Sequence, residues 1–383
     1  MRSDIRRISK VSRDDYCSKI DEALLSFDTK GEISSCVPHG NGHINDTFLV
    51  KTDYEGGEKK YILQRINHLI FKDPESLMEN IKKVTGHLKK AILKDGGDIK
   101  RETLNIIATK DGKACFKDSA GCYWRMYDFI EDAICLDKPD SSKVFYESAV
   151  AFGNFQRRLS DFDASLLTET IKDFHNTPKR FEDFLKAVDE KPLGRAADVL
   201  PEINFLKERK DDMGLCMKYL RENKIPLRVT HNDTKLNNIM MDKDSKKGIC
   251  VIDLDTVMPG LSIFDFGDSI RFGANTAAED EADLSKVSLD LELFEMYVKG
   301  FLKGCGGALM DNEISLLPQG AKTMTLECGM RFLTDYLEGD TYFRVHREGH
   351  NLDRCRCQLA LAKDMESKWD KMAAIVRAYS GGR

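Results

Sequence analysis

Between Val229 and Asp255 the sequence sets out residue types that could do chemistry together. Val229-Thr230-His231-Asn232-Asp233-Thr234-Lys235-Leu236-Asn237-Asn238 leads through a short hairpin to Val251-Ile252-Asp253-Leu254-Asp255. One strand end presents a carboxylate, an amide follows five residues later, and a second strand ends in another carboxylate. That is the layout of phosphoryl transfer, with one base and two oxygen donors for a cation. Asp233 falls at a loop tip, where its carboxylate can take the proton of a substrate hydroxyl, a contribution of roughly 10²- to 10⁴-fold. Asn238 and Asp253 supply the oxygen ligands that Mg²⁺ prefers. His231 is expected to brace the loop. Taken alone, Asp233 would read as a turn aspartate, but histidine, aspartate, asparagine and strand-end aspartate stand in the required order.

Such a loop needs a frame. Helical spacing of Tyr16, Ile20, Ala23, Leu24 and Phe27 predicts a first helix over 13–27. The period then changes to strands at 33–38 and 46–52, joined by Gly40-Asn41-Gly42-His43-Ile44-Asn45, with a third strand at 60–66. This turn is the place for backbone N–H groups to cradle nucleotide phosphates. Asn45 stands where the last glycine of a G-x-G-x-x-G turn would be, and an ordinary hairpin turn explains Gly40, Asn41 and Gly42 equally well. On the third strand, Gln64 occupies the position of a phosphate-contacting lysine, with Arg65 on the opposite face. His43 and Arg65 are the alternative cationic groups, and loss of catalytic power is the other reading of Gln64.

A helix over 76–90 follows, then strands at 104–108, 113–117 and 123–129. The last of these turns polar at Glu131, and backbone near Phe129 to Glu131 is expected to face an adenine. From Ser141 the periodicity is mainly helical. One helix is expected over 201–222, another over 323–338 and a long one over 352–379. His175, before a proline turn, is expected to be a structural hydrogen bonder. Asp265 is expected to brace the catalytic loop, and the role of Asp268 is open. The boundaries predicted are a nucleotide-covering unit at 1–130 and a catalytic and acceptor-binding unit at 131–383.

Length and composition agree with a two-lobed enzyme. The chain has 383 residues, 41% hydrophobic and 32% charged, with a formal net charge of -5 and an isoelectric point near 6.0. That balance gives no electrostatic footprint for nucleic acid. Eleven cysteines lack disulfide or zinc spacing, which suits a reducing cytosol. No signal sequence or membrane-length apolar run is read, so a cytoplasmic protein without membrane partners is expected, and a monomer is the simplest state.

The catalytic stretch resembles aminoglycoside phosphotransferase-like kinases, because Ile252-Asp253-Leu254-Asp255 takes the place of a D-F-G triplet. Within that group the chain is similar to the N-acetylhexosamine 1-kinases. The similarity is carried by Gly42-His43-Ile44-Asn45, Tyr61-Ile62-Leu63-Gln64, Leu227 to Asn238, Phe264 to Gly273, Glu327 to Leu333 and Asp335 to Asp340. It implies an α+β, bilobal protein-kinase-like fold: a small N-terminal antiparallel β lobe and a larger, mostly helical C-terminal lobe. It also implies ATP and Mg²⁺ as cofactors and a small-molecule sugar substrate, N-acetylglucosamine or N-acetylgalactosamine, phosphorylated at the anomeric hydroxyl. That family carries glutamine at the place of Gln64, and Arg331 and Tyr342 would contact the sugar. Spacing alone makes Glu327, Arg331 and Asp335 an exposed ion-pair ladder; the resemblance favours a helix facing the acceptor. Choline, homoserine or aminoglycoside acceptors, and a nucleotide-binding pseudokinase, are the competing expectations.

Overall fold

The computed structural model describes residues 13–40, 44–190 and 193–381. Asn41, Gly42 and His43 lie outside the described residues. The chain divides into two compact units, Met1–Glu131 and Asp132–Arg383.

The first unit runs α1 (Arg13–Ser26), β1 (Glu32–Pro38), β2 (Asp46–Tyr54), β3 (Gly57–Ile66), α2 (Pro74–Lys94), β4 (Ile106–Ile107), β5 (Phe116–Lys117) and β6 (Tyr123–Asp128). Its antiparallel sheet has the order β1-β2-β3-β6-β4, with β5 also on β6. Period-two alternation explains the layering. Phe48 opposes Leu63, and Leu63 opposes Met126, so one face is an apolar row that packs with Ala23 and Leu24 of α1 and with Phe27 just after it. The other face carries Thr47, Gln64 and Arg125. Helix α2 starts where Asp73 accepts the Ser76 N–H at 3.0 Å and Pro74 takes the first turn. It buries Leu77, Ile81, Val84, Leu88 and Ile92.

Two predicted strands shrink to two-residue pairings at Ile106–Ile107 and Phe116–Lys117. Side chains capture the backbone there: Asp118 accepts the N–H groups of Ala120 and Cys122 at 2.9 Å and the Trp124 indole N–H at 2.8 Å. Such local bonds compete with a ladder.

The second unit contains β7 (Ala133–Ile134), α3 (Ser142–Arg158), α4 (Thr177–Glu190), α5 (Leu200–Glu208), α6 (Lys210–Arg221), β8 (Arg228–Thr230), β9 (Ile239–Asp242), β10 (Gly248–Val251) and β11 (Met258–Gly260). It continues through α7 (Ser262–Gly273), α8 (Leu291–Cys305), α9 (Asp311–Ser315), α10 (Leu317–Glu338), α11 (His350–Ser367) and α12 (Trp369–Ser380). Two small sheets, β10-β9-β7 and β11-β8, interrupt the helices. They carry the stretch from Val229 to Asp255 that the sequence singles out.

Phe266 of α7 centres the larger core, its ring 6.0, 5.6 and 5.5 Å from those of Phe294, Tyr297 and Phe301 on α8. On its other side α7 meets α10 backbone to backbone, because a Cβ at Gly267 would collide with the Gly320 carbonyl. The two helices that build the site are thereby held at minimum separation.

Two predicted helices are each broken in two. The 201–222 helix breaks at Arg209, whose guanidinium takes both oxygens of Glu366 at 2.9 and 2.8 Å. The 352–379 helix breaks at Lys368, whose ammonium reaches the Leu289 carbonyl at 2.8 Å and Asp364 at 2.7 Å. In both cases a charged side chain turns to a tertiary partner that local sequence periodicity does not encode.

Candidate active site

The loop after β8 is built from its backbone outward. Asn232 has a left-handed backbone with φ of 65°, uncommon outside glycine but most tolerated by asparagine. Its groups are all held: Asp265 Oδ1 accepts its N–H at 2.8 Å, and its amide donates to the Thr256 carbonyl at 2.9 Å. Its Oδ1 accepts from the Thr230 hydroxyl at 2.9 Å. Gly260 is required beside it, since a Cβ there would strike Thr230 Oγ1 and lie 2.9 Å from Asn232 Oδ1.

Helix α7 braces the same loop through two carboxylates. Asp265 also accepts the His231 N–H at 2.9 Å and the Gln156 amide at 2.8 Å. Asp268 accepts the Thr234 N–H at 3.0 Å and Arg271 through Nε and Nη2 at 3.1 and 2.8 Å. The bracing expected of Asp265 is present, and Asp268 performs it too. Burial pushes the Asp265 carboxyl up despite these donors. At Asp268 burial acts in the same direction, but Arg271 and Lys235 outweigh it and hold the carboxyl below its ordinary value.

Asp233 therefore projects from a loop fixed on both flanks. The Asn238 amide donates to the Asp233 carbonyl at 2.8 Å and to its carboxylate at 3.2 Å. Lys235 Nζ lies 2.9 Å from the other carboxylate oxygen, and Asp233 first among its neighbours raises the pKa of that ammonium. Lys235 is a functional candidate that the motif reading passed over; its position two residues beyond the aspartate was the available signal.

Asp253 enters through its neighbour. The Ile252 N–H donates to the Asn238 carbonyl at 2.9 Å, and the Ile252 carbonyl accepts from His231 Nε2 at 2.8 Å. The Asp233 N–H points to His231 Nδ1 at 3.3 Å, so the histidine braces with Nε2 protonated and Nδ1 accepting. Asp253 itself turns with φ of 56°. Among the described residues no group of three His, Cys, Asp or Glu side chains forms a metal cluster. The oxygen donors present, Asn238 Oδ1 and the Asp253 carboxylate, nevertheless suit a cation that keeps several waters. The Asn238 nitrogen is spent on Asp233, which leaves its oxygen as the donor.

Further along the unit, α10 differs from the exposed-ladder expectation. Glu327 is fully buried and Asp335 nearly so. Glu327 accepts the Thr177 hydroxyl at 2.5 Å and lies 2.7 Å from His175 Nδ1. Asp335 accepts the N–H groups of Thr341, Tyr342 and Phe343 at 2.8, 2.7 and 2.9 Å. Arg331 and Tyr342 are brought together: the guanidinium lies 5.3, 5.9 and 5.5 Å from the rings of Phe174, Tyr342 and Phe343. Tyr342 is 61% exposed.

In the first unit, the positions singled out from sequence are largely tied to neighbours within that unit. Gly40 has φ of 73°, a glycine conformation. Asn45 Oδ1 accepts the Asn67 N–H at 2.9 Å, fastening the turn to the end of β3. Gln64 donates to Thr47 Oγ1 at 3.0 Å and accepts from Arg125 Nε at 2.9 Å. Arg65 pairs with Asp46 on the opposite face. The cation bonded to Gln64 is Arg125, 1% exposed, a cross-strand neighbour invisible to a linear reading. The Phe129 N–H donates to the Lys60 carbonyl at 3.1 Å, and the Glu131 carbonyl accepts from Arg101 at 3.3 Å. Those two groups of the proposed adenine-facing segment are thus committed within the unit.

Residues 35–292 match the APH phosphotransferase enzyme family; the chain belongs to that family. Its fold is the APH, protein-kinase-like one, an antiparallel N-terminal sheet region followed by a helical region, and it is a phosphotransferase of that class. Solved structures with this fold include a microcompartment-associated aminopropanol kinase, 16% identical over 93% of this chain and 98% of that one, with a TM-score of 0.62. An aminoglycoside phosphotransferase from Alicyclobacillus acidocaldarius is 11% identical, covering 94% and 96%, with a TM-score of 0.60. A spectinomycin phosphotransferase in complex with ADP and spectinomycin is 12% identical, covering 95% and 98%, with a TM-score of 0.51. The family match ends before α10, so Arg331 and Tyr342 lie beyond it.

Proposed function

We propose that the chain transfers the γ-phosphoryl group of ATP, with Mg²⁺, to the anomeric hydroxyl of N-acetylglucosamine or N-acetylgalactosamine, giving the sugar 1-phosphate. The observation that carries the acceptor choice is Arg331: its guanidinium is framed by the rings of Phe174, Tyr342 and Phe343, and among the described residues it has no hydrogen bond or ion pair. Its donors are available to sugar oxygens, and a guanidinium repels the amines that aminopropanol and aminoglycoside acceptors carry.

In this reading Asp233 takes the proton of the anomeric hydroxyl, which is more acidic than an ordinary alcohol. Asn238 fixes the carboxylate rotamer, and Lys235 offers a cation to the transferring phosphoryl group. Asn238 Oδ1 and Asp253 would hold Mg²⁺. Bound there, the ion neutralises phosphate charge. In the N-terminal unit, the Gly40 to Asn45 turn, Gln64 and the Phe129 to Glu131 backbone are the nucleotide contacts of this reading, and Arg125 supports Gln64.

The test is phosphorus NMR of purified protein with Mg-ATP and each N-acetylhexosamine. A phosphate resonance coupled to the anomeric proton is expected. Phosphate on another hydroxyl, or no sugar consumed beside good turnover of choline, homoserine or an aminoglycoside, overturns the acceptor assignment. Inertness of wild type with every acceptor, with ATP still bound, supports the pseudokinase reading that Gln64 motivates.

A further inference from the structure

His175 lies outside the catalytic motif, in the turn between α3 and α4, yet it touches the catalytic loop. Its Nε2 is 3.1 Å from the Asn232 carbonyl, one residue before Asp233. Its Nδ1 is 2.7 Å from Glu327 Oε1, one helical turn before Arg331. The Asn232 carbonyl can only accept, so Nε2 carries a proton. Glu327 Oε2 accepts the Thr177 hydroxyl, so the short Nδ1 to Oε1 contact requires a second proton between ring and carboxyl. We infer that His175 is a positioning residue for the phosphoryl transfer proposed above: its doubly bonded imidazole, completed by Glu327, fixes the Asn232-Asp233 peptide and locks the base to the helix that carries Arg331.

The surroundings bear on when this bridge holds. Facing the ring or its partner are Glu327 and Arg331 from α10, Asp265 and Asp268 from α7, Arg180 from α4, and the rings of Phe174 and Phe264 at 4.4 and 6.1 Å. Glu169 and Asp173 of its own turn line a cavity of about 280 Å³ that His175 and Asn232 also border. Burial opposes the ring's charge, but Glu327 outweighs it and raises the His175 pKa. Burial likewise opposes the Glu327 charge, and His175, Arg331 and Thr177 together hold that carboxyl low. The raised histidine value means the bridge is complete below the ordinary imidazole range and is lost as pH rises through the folded value. Above it the one remaining proton cannot serve both partners: kept on Nε2 for the Asn232 carbonyl, it leaves a lone pair on Nδ1 facing a carboxylate, and the link between the loop and α10 is lost.

The inference rests on the proposed function only for its turnover readout. Imidazole ¹⁵N NMR of wild type reads the proton inventory directly: both His175 nitrogens bonded to hydrogen, or Nδ1 sharing its proton with Glu327, is expected at the ordinary imidazole midpoint, where a free ring is half deprotonated. An Nδ1 without a proton overturns the bridge, whatever the enzyme's substrate. With an acceptor in hand, His175→Ala should lower kcat roughly 10- to 100-fold, the scale of a loop misplacement, with KM for ATP little changed. Imidazole admitted through the adjoining cavity should restore part of it. Glu327→Gln, whose amide can donate to a neutral ring while accepting Thr177, should abolish the alkaline fall of the pH profile and retain more turnover than Glu327→Ala. Unchanged kcat in His175→Ala, or an alkaline limb retained in Glu327→Gln, rejects the role. If neither sugar nor any other acceptor is phosphorylated, the proposed function falls and the NMR result still decides the bridge.

Discussion

Asn238 spends its side-chain nitrogen on Asp233, donating at 3.2 Å to the carboxylate and at 2.8 Å to the carbonyl of the same residue. One amide thereby sets both the rotamer of the proposed base and the curvature of its loop. Asp233→Asn keeps this frame but removes the proton acceptor. Turnover should fall about 10²- to 10⁴-fold, while ATP affinity by calorimetry stays close to wild type. A mutant as active as the wild type would remove Asp233 from the mechanism.

Arg331 is tested by a change that keeps charge but loses the planar fork. Arg331→Lys should raise the sugar KM on the order of tenfold, the equivalent of one charge-assisted hydrogen bond at about 1.4 kcal/mol. KM for ATP should not follow. Parallel rises in both constants would place Arg331 in general stability.

Gly260→Ala inserts a methyl against Thr230 and Asn232. Overpacking of this kind costs roughly 1–3 kcal/mol, and because the displaced atoms hold the catalytic loop, kcat should fall more than thermal stability does. Denaturation curves and initial rates on one preparation separate the two effects.

Beneath β8, Arg228 forks onto the buried Glu313 at 2.7 and 2.6 Å, and Ser262 donates to the same carboxylate at 2.6 Å. Arg228→Met strands that carboxylate and should cost about 3–5 kcal/mol in urea denaturation. Replacing both partners by apolar residues should recover much of the loss. Equal destabilisation by single and double replacement would contradict this account.

Acid stability should report on Asp268. Its folded carboxyl sits below the ordinary value, so its stabilisation is present above the unfolded carboxylate range and is lost as pH falls through the lower folded value. Asp268→Asn should flatten that part of the acid-side stability curve. At neutral pH it should cost roughly 3 kcal/mol, because Arg271 loses a buried partner. Unfolding midpoints measured from pH 7 downward test both parts.

The order of elements was legible wherever chemistry and period coincide in sequence. The β2 and β3 alternation, the loop carrying Asp233 and Asn238, and the strand before Asp253 all follow from local spacing. Asp265 could be assigned a bracing role because it opens a helix directly after the catalytic stretch. The bond from His175 to Glu327 could not be read, since 152 residues separate them and no spacing rule links the turn of one to the helix of the other. Arg125 was hidden for the same reason: it meets Gln64 across a sheet register. Helix periodicity failed at Arg209 and Lys368, where long charged side chains answer to distant partners. It also misjudged α10, whose four-residue charge spacing describes buried, individually bonded carboxylates.

The Ile252 peptide is clasped on both sides, its N–H by Asn238 and its carbonyl by His231. Asp253 follows directly, so its backbone cannot swing outward without breaking bonds that also shape the loop of Asp233. Displacing one aspartate would disturb the other. With the proposed roles of these residues, an on/off control that flips Asp253 would break bonds that shape the loop of the proposed base. On the proposed assignment, the two aspartates would be displaced together or not at all.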